Sequence, residues 1–325
     1  MTDGARQILD PHHHLWGPDF LDGLAGTYQL DELRADTATV PGVVATMFME
    51  CGARYRTDGP EHLRPVGETE FVAALADDAD RTPGARIEGI VAHADLAAPL
   101  ELLDEVLDAH EAAAGGRFRG IRDAVACAPP DTPLVIAPSA APGRGADPAF
   151  RRGVAHLGAR GLTYDTWQYH TQLDEVIALA RAVPGTTVVV DHLSTPLGVG
   201  RWAGRHDETF EVWRPGITEL ARCENVVMKL GGMAMPDNGF FPVTSEGDPT
   251  RPDVDAFLAV QERWYLHALD AFGPERAMFE SNFPVDKMCV DYAVVWEAFE
   301  RLAARCTPAE QDELFGGTAR RTYWP

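Results

Sequence analysis

Lysine is nearly absent from this chain. Among 325 residues only Lys229 and Lys287 occur, while arginine is plentiful, and Asp+Glu (50) far outnumber Lys+Arg (28). The formal net charge of −22 excludes the basic footprint of a nucleic-acid binder, and an anionic membrane would repel such a surface. No run of about 18 apolar residues occurs, so no transmembrane helix is expected. The start of the sequence, Met1 to Asp10, has neither the basic residues nor the apolar stretch of a secretory signal. The five cysteines, Cys51, Cys127, Cys223, Cys289 and Cys306, are odd in number, widely spaced and without a C-x-x-C pair. That excludes a disulfide framework and a zinc knuckle and implies reduced thiols in the cytoplasm. A glycine-rich turn after the first strand, the mark of a dinucleotide-binding sheet, is missing as well.

What is present is an alternation of short apolar runs with longer amphipathic ones. Hydrophobic residues make up 45% of the chain, enough for a large core. Strands are expected at residues 7–14, 43–50, 87–93, 118–124, 161–167, 187–191, 225–230 and 276–281, and eight is the number that closes a parallel barrel. Helical spacing marks 68–81, 99–114, 147–159, 171–183, 254–271 and 292–305. The expected fold is an α/β protein, a (β/α)8 TIM barrel, forming one domain over residues 1–325; a doubly wound sheet is the alternative. Two long irregular connections, 127–146 and 231–251, follow strands and would lie on the catalytic face of a barrel, unless they are plain insertions.

The sharpest chemical signal is Asp10-Pro-His12-His13-His14-Leu-Trp16. Side chains two apart on a strand point the same way, so His12 and His14 would both enter the barrel. Paired imidazoles suit a divalent metal or a polarised carbonyl; the plain alternative is a histidine-rich strand end at the surface.

Asp-x-His-x-His at the end of a first strand resembles the amidohydrolase superfamily. Phe118-Arg-Gly-Ile-Arg122, Val190-Asp-His192-Leu, Phe279-Glu-Ser-Asn-Phe-Pro284 and Leu314-Phe-Gly-Gly-Thr-Ala-Arg-Arg-Thr-Tyr323 resemble the later strands and terminal helix of its amidohydrolase-related branch. That branch includes sugar lactonases, pyrone-dicarboxylate lactonase and zinc-dependent decarboxylases. The resemblance implies a pocket at the C-terminal strand ends and makes His192 a metal ligand or a group that polarises substrate. It suggests His170 as the histidine of the fifth strand, although His170 lies beyond that strand; Asp165 could instead orient a histidine from behind. Members with two metals carry a modified lysine on the fourth strand, and none stands there. The expected cofactor is therefore at most one divalent ion, zinc before others, on His12, His14 and His192, with metal-free catalysis as the alternative.

Other residues fall at strand ends. Glu50 closes the second strand, and His93 and Asp95 close the third. Of Arg119 and Arg122, three apart, only one should point inward; Arg122 is nearer the catalytic end and would grip a substrate carboxylate. Lys229 could face the pocket or snorkel outward. Trp16, Trp167 and Trp202 could wall a substrate or pack in the core.

One position departs from the family pattern. Asn282 stands where the pattern has an aspartate that takes the proton of the attacking water. Glu280, two residues earlier and so on the same face if the strand continues, is the first candidate to replace it, and Asp286 on the following loop the second. The sequence thus points to a hydrolase acting on a lactone or related acyl bond of a small, acidic substrate, in a cytoplasmic enzyme that could be a homodimer. A metal-dependent decarboxylase and a catalytically silent barrel that binds a small molecule are the alternatives.

Overall fold

The computed structural model describes residues 6–18, 20, 26–130, 132–138 and 140–325. Eight parallel strands follow one another in a single sheet: β1 (Ile8–His13), β2 (Val43–Met49), β3 (Arg86–Ala92), β4 (Phe118–Arg122), β5 (Thr163–Thr166), β6 (Val188–Val190), β7 (Val226–Leu230) and β8 (Ala277–Phe279). The ends meet just past β8. His13 bridges Phe283, the Asn282 N–H donates to the His12 carbonyl (3.0 Å), and the His14 N–H donates to the Phe283 carbonyl (2.8 Å). The expected TIM barrel is what forms.

Helices lie between the strands: α1 (Leu30–Thr37), α2 (Val66–Arg81), α3 (Leu100–Ala113), α4 (Pro148–Ala159), α5 (Leu173–Ala182), α6 (His206–Leu220), α7 (Val254–Phe272) and α8 (Tyr292–Ala303). Their starts carry the expected chemistry. Asp147 caps α4 by accepting from the Ala149 N–H, and Asp253 caps α7 by accepting from the Ala256 N–H. Sequence reading missed α1 and α6. In α6 the charged run and Pro215 blur the apolar stripe, yet Trp213, Ile217 and Leu220 are buried against its neighbours.

The strand interior forms two layers. Leu9, Met47, Val91, Val189, Val227 and Met278 fill the lower barrel, and the C-terminal helix α10 (Thr318–Tyr323; α9 is Pro308–Asp312) closes it with Ala319 and Tyr323. Above them, toward the C-terminal strand ends, the interior turns polar. No helix among the described residues is long and apolar enough to cross a membrane.

Candidate active site

Strand alternation sets the floor. His12 and His14 point into the barrel and His13 points out, where its Nε2 meets the Thr46 hydroxyl at 3.1 Å and its ring packs on Phe48. His14 Nδ1 donates to the Met49 carbonyl at 2.8 Å, and its Nε2 lies 3.2 Å from His12 Nε2. Burial disfavours the charged imidazoles. It takes His13 down to about 3, lowers His12 despite the opposing pull of Glu280, and holds His14 well below the usual histidine range with help from His12 and Arg122.

Beneath and beside His12 runs a buried chain of alternating charges. Lys229, on β7, points inward and is fully enclosed. Its Nζ lies 2.9 Å from Asp165, 3.0 Å from Asp191 and 3.3 Å from His12 Nδ1. The Tyr323 hydroxyl donates to Asp165 from below. On the other side of Asp191, Arg122 Nη1 approaches at 3.2 Å; its Nε donates to Glu50 at 2.8 Å and its Nη2 to the Glu50 carbonyl. Each ion is matched, as buried charges must be. Burial opposes ionisation of Asp191, but Lys229 and His12 hold its carboxyl well below the usual range. Arg119, the other arginine of β4, lies over the Trp324 ring instead.

His192 is presented by an unusual backbone. His192, Leu193, Ser194 and Thr195 all have positive φ, between 34 and 57°, and none is glycine. Such left-handed conformations cost roughly 1–2 kcal/mol per residue and persist only where surroundings enforce them. Here the enforcement is visible. Gln168 donates to the Ser194 hydroxyl (2.9 Å), Trp167 Nε1 to the Thr195 hydroxyl (3.0 Å) and Trp213 Nε1 to the Leu193 carbonyl (2.7 Å). The turn sets His192 Nδ1 2.7 Å from Glu280 Oε1, which also accepts from the His192 N–H at 3.2 Å. Gly232, with φ +65°, lies against the same imidazole; a Cβ there would come within 2.1 Å of Nδ1.

After β8 the chain leaves strand geometry. The strand ends at Phe279 and Asn282 has φ +56°, yet both side chains face the barrel interior, Glu280 against His12 and His192 and Asn282 at the cavity. Glu280 lies fully enclosed beneath His192, with Oε2 2.7 Å from His12 Nδ1. Burial works against its charge, yet His192 and His12 hold its carboxyl far below the usual range. Both of its carboxylate oxygens thus face imidazole nitrogens, Oε1 that of His192 and Oε2 that of His12. Asp286 lies behind Asn282, accepting from the Asn282 amide (2.9 Å) and the Ala234 N–H (2.9 Å), and burial pushes it up to about 7.

Above this floor opens a cavity of about 960 Å³, of small-molecule size. His14, Trp16, Glu50, His93, Arg122, His192 and Asn282 line it, as does Trp167. His12 and Glu280 sit one side chain deeper, and Asp286 is screened by Asn282. His170 is not at the cavity: its Nδ1 accepts the Leu197 N–H at 3.2 Å and its ring meets Trp202 edge-on, so both brace the loop after β6. The placement of His170 beyond its strand was the sequence clue. Sequence reasoning did not single out Tyr55, stacked on His93, or Asp123, both cavity-lining. Nor did it weigh Asp191 as a ligand, although an acid beside His192 was a usable signal.

Among the described residues, the one group able to hold a metal ion is His12, Asp191 and His192, with ligand atoms within 4.8 Å of one another. Neutral imidazoles and a carboxylate are suitable donors for a zinc-like ion. His14 is not in that group. The fit is contested, because fixed cations already face the donors: Lys229 and Arg122 lie within 3.0–3.5 Å of both carboxylate oxygens of Asp191 and both ring nitrogens of His12.

Comparison with known proteins agrees with this architecture. The amidohydrolase family model matches residues 9–324. An uncharacterized protein of Sinorhizobium fredii is 30% identical over 99% of both chains. An L-fucono-1,5-lactonase of Burkholderia multivorans is 33% identical over 79% of this chain and 76% of its own. A crystal structure of a Burkholderia multivorans amidohydrolase with bound zinc superposes with a TM-score of 0.73 at 30% identity, covering 98% of this chain and 99% of that one. A barrel with paired histidines on β1, a histidine after β6 and a polar cavity at the C-terminal strand ends, matched along nearly its whole length by that family model, belongs to the amidohydrolase family.

Proposed function

We propose that the chain hydrolyses the neutral lactone of a small polyhydroxylated acid, with His192 as the general base. The observation that carries this is the Glu280–His192 pair at the cavity floor. A carboxylate only accepts, so a proton on His192 Nδ1 is held toward Glu280, and a neutral imidazole so held has its lone pair on Nε2. Nδ1 is turned toward Glu280 and Gly232, and the ring lines the cavity. This is the carboxylate–imidazole arrangement that orients a base toward water.

In this reading water attacks the acyl carbon and passes its proton to His192 Nε2. The ring oxygen leaves and takes that proton back, giving the open hydroxy acid. An ion on His12, Asp191 and His192, zinc by analogy with the zinc-bound relative, would polarise the acyl oxygen only by occupying the imidazole that serves here as the base, so it is an alternative to this reading and not part of it. The proposed reaction does not depend on it.

The neutral substrate replaces the acidic one expected from sequence. Arg122 is already neutralised by Glu50 and Asp191, and the cavity-lining Asp123 is itself paired with Arg144, so the cavity offers no surplus positive charge to a carboxylate. Glu50, His93 and His192 instead suit hydroxyl donors, between the rings of Tyr55 and Trp167. The lactonase name of a relative points the same way. The test is a panel of sugar-acid lactones beside a pyrone dicarboxylate, read by acid release. Turnover of the neutral lactones supports the reading. Exclusive turnover of the dicarboxylate, or release of carbon dioxide, refutes it.

A further inference from the structure

The two long loops that sequence singled out meet over the cavity at one buried carboxylate. Asp237 belongs to the short turn Pro236–Asn238 in the loop after β7 and is 1% exposed. Its Oδ1 accepts the Val135 N–H at 2.7 Å and its Oδ2 the Ile136 N–H at 3.1 Å, across about a hundred residues of sequence. Among the described residues no side-chain cation pairs with it; burial raises its pKa, and these two backbone donors are what oppose that rise. A buried acid without an ion-pair partner is expensive to keep, so the contact it makes is the reason to look for a role.

The same turn is joined to a third loop. The Asn238 amide donates to the Pro196 carbonyl (2.8 Å), the Gly198 N–H donates to the Asp237 carbonyl (3.0 Å), and His206 holds the Asn238 carbonyl (2.9 Å). The fit is close: a Cβ on Gly198 would fall 1.8 Å from the Asn238 carbonyl oxygen. The loops after β4, β6 and β7 are therefore fastened at one point. From that point Val135, Ile136 and Ala137 on one side and Met235 on the other line the cavity. They form an apolar roof facing the polar floor of His192, Asn282 and Arg122.

We propose that Asp237 is a positioning residue for substrate: by holding the Val135 and Ile136 amides it fixes the apolar roof that packs on the substrate's carbon face while the floor handles the acyl group. This rests on the cavity being the lactone site of the preceding section. Asp237 faces the Val135 and Ile136 amides and is not among the cavity-lining residues, so its loss should weaken binding and leave chemistry intact.

The test combines hydrogen exchange with kinetics, using 1,5-lactones of hexonic and 6-deoxyhexonic acids as probes. In Asp237→Ala, exchange should accelerate at Val135 and Ile136 while β1–β8 stay protected. KM should rise roughly tenfold, as expected for losing two bonds to a charged acceptor, with kcat within about twofold of wild type. Asp237→Asn, which can still accept one N–H, should recover part of the binding and covers the case in which alanine does not fold. Unchanged protection at Val135 and Ile136 would show that Asp237 does not hold the roof. Lost protection with unchanged KM, or a fall in kcat alone, would show that the roof does not bind substrate. If the wild type turned over no lactone, the proposed function would fail on that result, and the clamp would still be decided by exchange.

Discussion

His192 and Glu280 act as a unit, so their variants should resemble each other. His192→Gln removes the base, and Glu280→Gln replaces the acceptor-only carboxylate that fixes the tautomer with a neutral amide that can also donate. Each should lower kcat by roughly 10²–10⁴-fold, the usual worth of general-base assistance, while thermal unfolding shows whether the fold survives. Near-normal turnover of either variant would place the base elsewhere. Arg122 is predicted to behave otherwise than a substrate grip. Arg122→Met strips Asp191 and Glu50 of a buried partner, so it should destabilise the protein by about 3–5 kcal/mol. It should also impair charged and neutral substrates alike; selective loss of the charged ones would restore the grip. Asp286 offers a pH test. Its carboxyl is raised to about 7 in the fold from an ordinary value near 4, so the folded state prefers the protonated form. Stability is fullest at low pH and declines as pH rises from the ordinary value through about 7, by at most a few kcal/mol. Asp286→Asn should flatten the fall in melting temperature between about pH 4 and 7; an unchanged slope contradicts the burial argument.

The elements that position these groups were unevenly legible. β1 announced itself because two-residue alternation is a strict geometric rule and His12 and His14 obey it. The barrel was legible because eight apolar runs alternate with helical ones. Past Phe279 alternation no longer sets side-chain direction, because the strand ends there and Asn282 turns left-handed; Glu280 and Asn282 both face the interior, but at different depths. The turn His192–Thr195 could not be read at all, because four consecutive positive φ angles without a glycine leave no compositional trace. Lys229 stood open as inward or outward, since an enclosed lysine depends on Asp165 and Asp191 arriving from two other strands. The glycine beside that turn gives a further test. Gly232→Ala drives a methyl into His192 Nδ1, in a backbone region already unfavourable for alanine. It should depress turnover about as far as His192→Gln does, with β-strand content by circular dichroism retained; wild-type kinetics would mean that the imidazole has room to move.

At the scale of the whole molecule, the barrel carries its own cations on its axis. From Tyr323 at the closed end, through Asp165, Lys229, Asp191 and Arg122 to Glu50 at the cavity, charge alternates without a gap. A divalent ion at His12, Asp191 and His192 would have to sit against Lys229 and Arg122, and that repulsion weakens a site whose donors are otherwise suitable. It would also withdraw His192 from proton transfer. The most direct measurement is therefore hydrolysis of a neutral sugar lactone by protein stripped with a chelator and checked by elemental analysis, before and after zinc is added. The account predicts full turnover without metal and no gain, or inhibition, with zinc. Turnover that vanishes on stripping and returns with stoichiometric zinc would contradict it and make His192 a ligand rather than the base.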